Sequence, residues 1–98
     1  MVRVQLPHHL RMLAGVGREV SLEVRAPVSV TSILESLESA HPVLKGTIRE
    51  HGTLKRRPFL RYFAAGQDVS LQPPDVELPA DIACGGEPFV IVGAIAGG

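Results

Sequence analysis

The stretch Phe89-Val90-Ile91-Val92 is apolar at every position and runs into Gly93. A strand with no polar face needs neighbours on both edges, so it belongs in the middle of a sheet. It comes late in the chain, whereas the first run, Val2-Arg3-Val4-Gln5-Leu6, alternates apolar with polar residues as a half-buried strand does. Placing the first and last strands side by side at the centre makes them parallel, and parallel neighbours require a crossover element between them.

The intervening sequence offers one. In Val30-Thr31-Ser32-Ile33-Leu34-Glu35-Ser36-Leu37-Glu38-Ser39-Ala40, the apolar residues Val30, Ile33, Leu34, Leu37 and Ala40 recur at helical spacing. Ser29, Thr31 or Ser32 offers the cap, Ser32 to Glu35 has the spacing of a capping box, and Pro42 closes the helix. Before it, Val20, Leu22 and Val24 alternate with Glu19, Ser21 and Glu23, which makes a second strand and a hairpin with the first across the Gly15–Gly17 connection. After it, a weaker helical turn or two is expected around Gly46, then a hairpin over 58–71 that turns at Ala65-Gly66-Gln67-Asp68. Its first arm sets Leu60, Tyr62 and Ala64 against Phe59, Arg61 and Phe63. The proline- and glycine-rich segment 72–88 reads as irregular, with one short strand near Val76 to Leu78. The expected architecture is α+β: a mixed sheet with one main helix packed across it.

Composition narrows what such a domain does. The 98 residues carry ten Lys and Arg against ten Asp and Glu, so no basic surplus exists to displace counterions from a nucleic acid. Lys55, Arg56 and Arg57 form a solvated loop on this reading rather than a nucleic-acid patch. A single cysteine, Cys84, precludes an internal disulfide and reads as inert packing. No apolar run reaches the length of a signal peptide's core or a membrane span, which makes the cytoplasm the expected compartment. His8, His9, His41 and His51 are scattered without ligand spacing, so no metal site is expected. Cys84-Gly85-Gly86 is not a phosphate loop, since no Lys-Ser/Thr pair opens a helix after it. No side-chain constellation for acid–base or nucleophilic work is visible.

The ordered set Val2–Leu6, Val30–Leu44, Phe59–Val69 and Gly85–Gly98, ending in Gly97-Gly98, resembles the MoaD/ThiS family of sulfur-carrier proteins, which have the β-grasp (ubiquitin-like) fold. The resemblance covers nearly the whole chain. It departs at three points: Ala65 stands where the family usually has Asn before the hairpin glycine, Gly85-Gly86-Glu87-Pro88 where it tends to have a Gly-Asp-Glu turn, and Gly93-Ala94 where a proline pair often leads into the tail. The resemblance implies a single β-grasp domain over 1–98 with a flexible tail at 94–98. It also implies that the carboxylate of Gly98 is adenylated with ATP by a ThiF/MoeB-like activating enzyme, that a sulfur donor converts the adenylate to a thiocarboxylate, and that a synthase or other acceptor takes the sulfur. The leading expectation for that acceptor is molybdopterin-type biosynthesis. No cofactor would be bound permanently, and the protein would be a carrier rather than an enzyme.

Physical chemistry fits this tail. A carboxylate that must reach the α-phosphate of ATP inside another protein passes through a narrow groove, and glycines at 97 and 98 let the backbone approach closely. With no residue after Gly98, no processing step is expected, and the reactive group is the main chain itself. A carrier also needs a docking face. If Phe89 and Ile91 join Val2, Val4, Leu6, Leu60 and Tyr62 in the core, Val90 and Val92 face outward beside Phe63 and Arg61 on one neighbour and Arg3 and Gln5 on the other. Three converging apolar side chains rimmed by arginines have the character of a transient interface. The expected partner-binding set is thus Arg61, Phe63, Val90 and Val92, continued by Ala94, Ile95 and Ala96. Two other readings stay open: a ubiquitin-like modifier joined to lysines through Gly98, and a β-grasp interaction domain whose terminal glycines carry no chemistry. A third, catalysis by a Cys84 nucleophile, is disfavoured.

Overall fold

A computed structural model describes residues 1–93. Its elements are β1 (Val2–Gln5), α1 (His8–Ala14), β2 (Glu19–Leu22), α2 (Val30–Ala40), a 3-10 turn (Pro42–Leu44), β3 (Leu60–Ala64), β4 (Gln67–Asp68), α3 (Ala80–Ala83) and β5 (Phe89–Gly93). The strands form one sheet in the order β2-β1-β5-β3-β4. β5 is central as its two apolar faces require, parallel to β1 and antiparallel to β3. The crossover from β1 to β5 carries α2 across one face of the sheet.

That face is the core. Val2, Val4, Leu60, Tyr62, Ala64, Phe89 and Ile91 project from the sheet into a buried layer with Ile33, Leu34 and Leu37 of α2. Tyr62 and Phe89 pack ring to ring with centroids 5.6 Å apart, within the usual range of aromatic pairs. α2 begins at Ser29, whose Oγ accepts from the Ser32 amide at 3.1 Å while the Ser32 hydroxyl accepts from the Ser29 amide at 2.8 Å. The capping box is therefore Ser29–Ser32 and not Ser32–Glu35. Ser29 is the residue with extended dihedrals, and that geometry fixes which serine lies outside the first turn.

Three elements differ from the sequence expectation. α1 occupies what reads as a plain connection. Pro7 precedes it with φ −68, and Gly15 ends it at φ 68 with its amide on the Arg11 carbonyl. Only Leu10 of this helix is fully buried, so no apolar period advertises it. α3 is a short turn anchored by Ile82. The expected strand near Val76 to Leu78 is absent: Glu77 makes one isolated bridge to Ser29, and Val76 is exposed. Pro73, Pro74 and Pro79 surround that segment, and prolines cannot donate to a ladder. Among the described residues no helix is long and apolar enough to cross a membrane.

Candidate functional site: the outer face of the central strand

Strand alternation decides what β5 shows to each side. Phe89 and Ile91 are buried under α2, Val90 is half-buried on the opposite face, and Val92 is 39% exposed. Register then sets their neighbours. Phe63 lies opposite Val90 and Arg61 opposite Val92 on β3, while Gln5 of β1 flanks Val90 on the other edge. The four side chains read from the sequence as a contact surface, Arg61, Phe63, Val90 and Val92, thus do share one face. Ala94, Ile95, Ala96, Gly97 and Gly98 lie outside the described residues.

The arginine rim is less free than the sequence reading supposes. Arg3 donates from Nε to the Gly85 carbonyl at 2.8 Å and from Nη1 to Glu19 at 3.1 Å, which ties the loop before β5 to the edge of the sheet. Arg61 makes only a loose, exposed contact with Asp68 at 3.5 Å, so its guanidinium remains available to a partner's carboxylate. Hydrogen bonds from Ser70 are the main reason the Asp68 carboxyl sits below the usual range, with Arg61 a lesser contributor.

Two features of the face escape a strand-by-strand reading. The first is a groove of about 580 Å³ between β5 and the start of α1, with Val90, Val92 and Gly93 on one wall and Pro7, His8 and His9 on the other. His8 and His9 belong to this wall because α1 follows β1 directly and stands near the end of β5, where a Cβ added at Gly93 would lie 3.7 Å from His9 Cε1; α1 itself is what the sequence conceals. The second is Phe59, 63% exposed, one residue before Leu60, which pairs with Gly93. The sequence sets Phe59 with Arg61 and Phe63 by alternation, but Phe59 stands in the turn that the Leu60 amide closes on the Arg57 carbonyl, just outside β3, where alternation no longer applies. The apolar strip on the face itself runs from Val90 and Phe63 to Val92, with the exposed Phe59 in the turn before β3.

Among the described residues no three His, Cys, Asp or Glu side chains gather to hold a metal. Cys84 is exposed at the end of α3, its thiol 3.6 Å from the Asp81 carbonyl. The arrangement is suited to contact: a shallow apolar strip, one arginine only loosely held by Asp68, two histidines, and a strand that ends at Gly93.

Solved structures with this architecture exist. A chain of the Amycolatopsis orientalis BexX/CysO complex matches over 100% of both chains, with 24% identity and a TM-score of 0.77. Mycobacterium tuberculosis CysO matches over 97% of this chain and 100% of its own, with 20% identity and a TM-score of 0.75. Small archaeal modifier protein 1 from Methanosarcina acetivorans matches over 99% of this chain and 95% of its own, with 25% identity and a TM-score of 0.72. No protein-family model matches the sequence, and no curated protein matches it significantly. The likenesses span the full chain at low identity, and what they establish is architecture: this chain has the β-grasp, ubiquitin-like fold, which is the fold that its resemblance to MoaD/ThiS proteins implies.

Proposed function

We propose that the protein is a sulfur carrier whose Gly98 carboxylate is the working group. A carboxylate oxygen of Gly98 attacks the α-phosphorus of ATP on a ThiF/MoeB-like activating enzyme, forming the acyl-adenylate and releasing pyrophosphate. A sulfur donor then supplies sulfide sulfur to the acyl carbon, AMP leaves with the electron pair of the broken C–O bond, and a thiocarboxylate remains. That group passes its sulfur to an enzyme of cofactor or metabolite biosynthesis, with molybdopterin-type synthesis the first candidate. In this scheme the chain is a substrate and carrier, and the catalytic groups belong to its partners.

One observation carries the reading. The apolar strip of Val90, Val92 and Phe63 lies on the face of β5 away from α2, the same strand that leads through Gly93 toward Ala94-Ile95-Ala96-Gly97-Gly98. A partner seated on that strip would lie beside the strand to which Ala94 and the residues up to Gly98 are directly joined in sequence. The fold shared with CysO, seen in a complex with BexX, is in keeping with a protein that works by docking.

Activation is tested by pyrophosphate exchange. With an activating enzyme from the same cells, full-length chain should support ATP-dependent exchange of labelled pyrophosphate, and the chain lacking Gly97 and Gly98 should support none. Equal exchange by both would refute activation at Gly98. The likeness to small archaeal modifier protein 1 favours a second use of the same activated end, conjugation to lysines of other proteins. Isopeptide-linked adducts of Gly98 in cell extracts would demonstrate it, and their absence under conditions where the thiocarboxylate is found would reject it.

A further inference from the structure

Positive charge collects around Val92. Arg61 lies opposite it on β3, and on its other side the groove brings in His8, His9 and Arg11 from α1 and Arg18 from just before β2. None of the residues lining the groove is acidic. Glu19, next in sequence to Arg18, is engaged elsewhere, accepting from Arg3 at 3.1 Å and from Gln5 at 3.3 Å. Arg18 is exposed and makes no ion pair among the described residues. Arg11 donates from Nε to the Leu6 carbonyl at 2.7 Å, a neutral acceptor that leaves its charge uncompensated. Asp68, the loose partner of Arg61 at 3.5 Å, already accepts from the Ser70 amide at 2.9 Å. In a chain with no net charge, three guanidinium groups thus stand around Val92 against one distant carboxylate.

Between these flanks the floor is apolar, made by Val90, Val92 and Pro7. Gly93 keeps it open, because a Cβ there would also stand 3.8 Å from Pro7 Cβ and occupy the space. A partner that covers this floor takes water away from the arginines beside it, and a desolvated charge without a counter-charge is costly. A wholly apolar or a basic partner is therefore disfavoured. A partner with carboxylates on either side of an apolar side chain meets both demands, since guanidinium binds carboxylate through two parallel hydrogen bonds. The ring nitrogens of His8 and His9 add donors on the same wall.

We propose that this face seats an acidic, aliphatic segment of a partner protein. Its aliphatic side chain lies on Val90, Val92 and Gly93, and its carboxylates meet Arg11 and Arg18 on one flank and Arg61 on the other. The assignment rests on reading this face as a docking surface, and it is independent of the chemistry at Gly98.

The test is a titration of the full chain with the peptide acetyl-Asp-Glu-Leu-Ile-Glu-Asp-amide, followed by amide chemical shifts. Saturable shifts should map to Gln5, His9, Arg18, Arg61 and Val92, with a dissociation constant of about 1 mM or tighter. Two counterparts separate the contributions: Asn-Gln-Leu-Ile-Gln-Asn lacks the charges, and Asp-Glu-Ser-Ser-Glu-Asp lacks the aliphatic centre. Each should bind about tenfold more weakly. Raising the salt from about 0.05 M to about 0.5 M should weaken the parent peptide by a similar factor. Arg18→Gln with Arg61→Gln should weaken it about tenfold at an unchanged melting temperature, because both side chains are exposed. Lys55→Gln, which removes a positive charge beside α2, should leave affinity unaltered. No saturable shift at these residues, equal binding of either counterpart, or equal loss in Lys55→Gln would overturn the proposal. So would the same shifts on concentrating the free protein, which would assign the face to a second copy of the chain. Pyrophosphate exchange alongside a failed titration would leave the carrier reading standing, and a successful titration without exchange would do the reverse.

Discussion

Ala65 and Gly66 occupy the turn between β3 and β4 with φ 50 and φ 78, so both central positions of this two-residue turn are left-handed. Glycine accepts that conformation freely, whereas alanine's Cβ is crowded against the following carbonyl. Ala65→Gly should therefore raise stability by about 1 kcal/mol, and Ala65→Asn by somewhat less, read as a higher melting temperature. An unchanged or lower value would show that the turn relaxes around alanine. The location of this turn was legible from Gly66 between two apolar runs, but the strain at Ala65 was not, because it depends on the dihedral angle the register imposes. Tyr62 offers a second residue-scale outcome. Its folded value of about 12 lies above the ordinary 10.0, so between pH 10 and 12 the folded chain keeps a proton that the unfolded chain loses. Stability should then be flat in this residue below pH 10 and fall by up to about 2–3 kcal/mol as pH rises through the window. Denaturant melts at pH 9 and pH 11.5 should show that loss in the native protein and a smaller one in Tyr62→Phe.

At the scale of elements, the irregular chain after α2 is held to that helix by Arg49 and Glu38, both nearly buried, in a two-pronged contact. Removing one partner strands a buried charge, so Arg49→Leu should cost about 3–5 kcal/mol. The double change Glu38→Leu with Arg49→Leu should recover most of that loss in a denaturant series, and failure to recover would locate the cost in packing instead. Nothing in the sequence pairs residues eleven positions apart across a turn, and this contact was not read from it. Helices α1 and α3 were hidden for a related reason. Each buries one large apolar side chain, Leu10 or Ile82, and a single buried residue has no period. Pro7 before α1 and Gly15 after it were the punctuation that could have revealed it. By contrast α2, β1, β2, β3 and β5 were legible, because Val30, Ile33, Leu34 and Leu37, or Val2, Val4 and Leu6, repeat the period of the element they build, while β4 falls on Gln67–Asp68, which the sequence reading placed in the turn. Gly85 shows how tightly the loop before β5 is fitted: a Cβ there would stand 2.5 Å from the Met1 carbonyl oxygen, at φ 82.

For the whole molecule, the sheet divides the chain into a face buried under α2 and an outer face that the proposed carrier role would turn to its partners. Val2, Val4, Tyr62, Phe89 and Ile91 turn toward α2, and Phe63, Val90 and Val92 turn away. Alternation made that division legible before any coordinates, while the groove against His8 and His9 awaited α1. Val92→Lys should accordingly leave the melting temperature nearly unchanged and weaken binding to an activating enzyme by about tenfold or more, as expected for loss of one well-packed apolar contact. Unfolding of that variant would mean that the two faces are assigned the wrong way round. The central claim concerns Gly98, and the most direct measurement is the intact mass of the protein isolated from its own cells under conditions that preserve thiocarboxylates. A mass increase equal to sulfur in place of one oxygen, located at Gly98 by fragmentation, is the predicted result. A terminal carboxylate that stays unmodified in those cells, and inert to ATP with each of their activating enzymes, would contradict it.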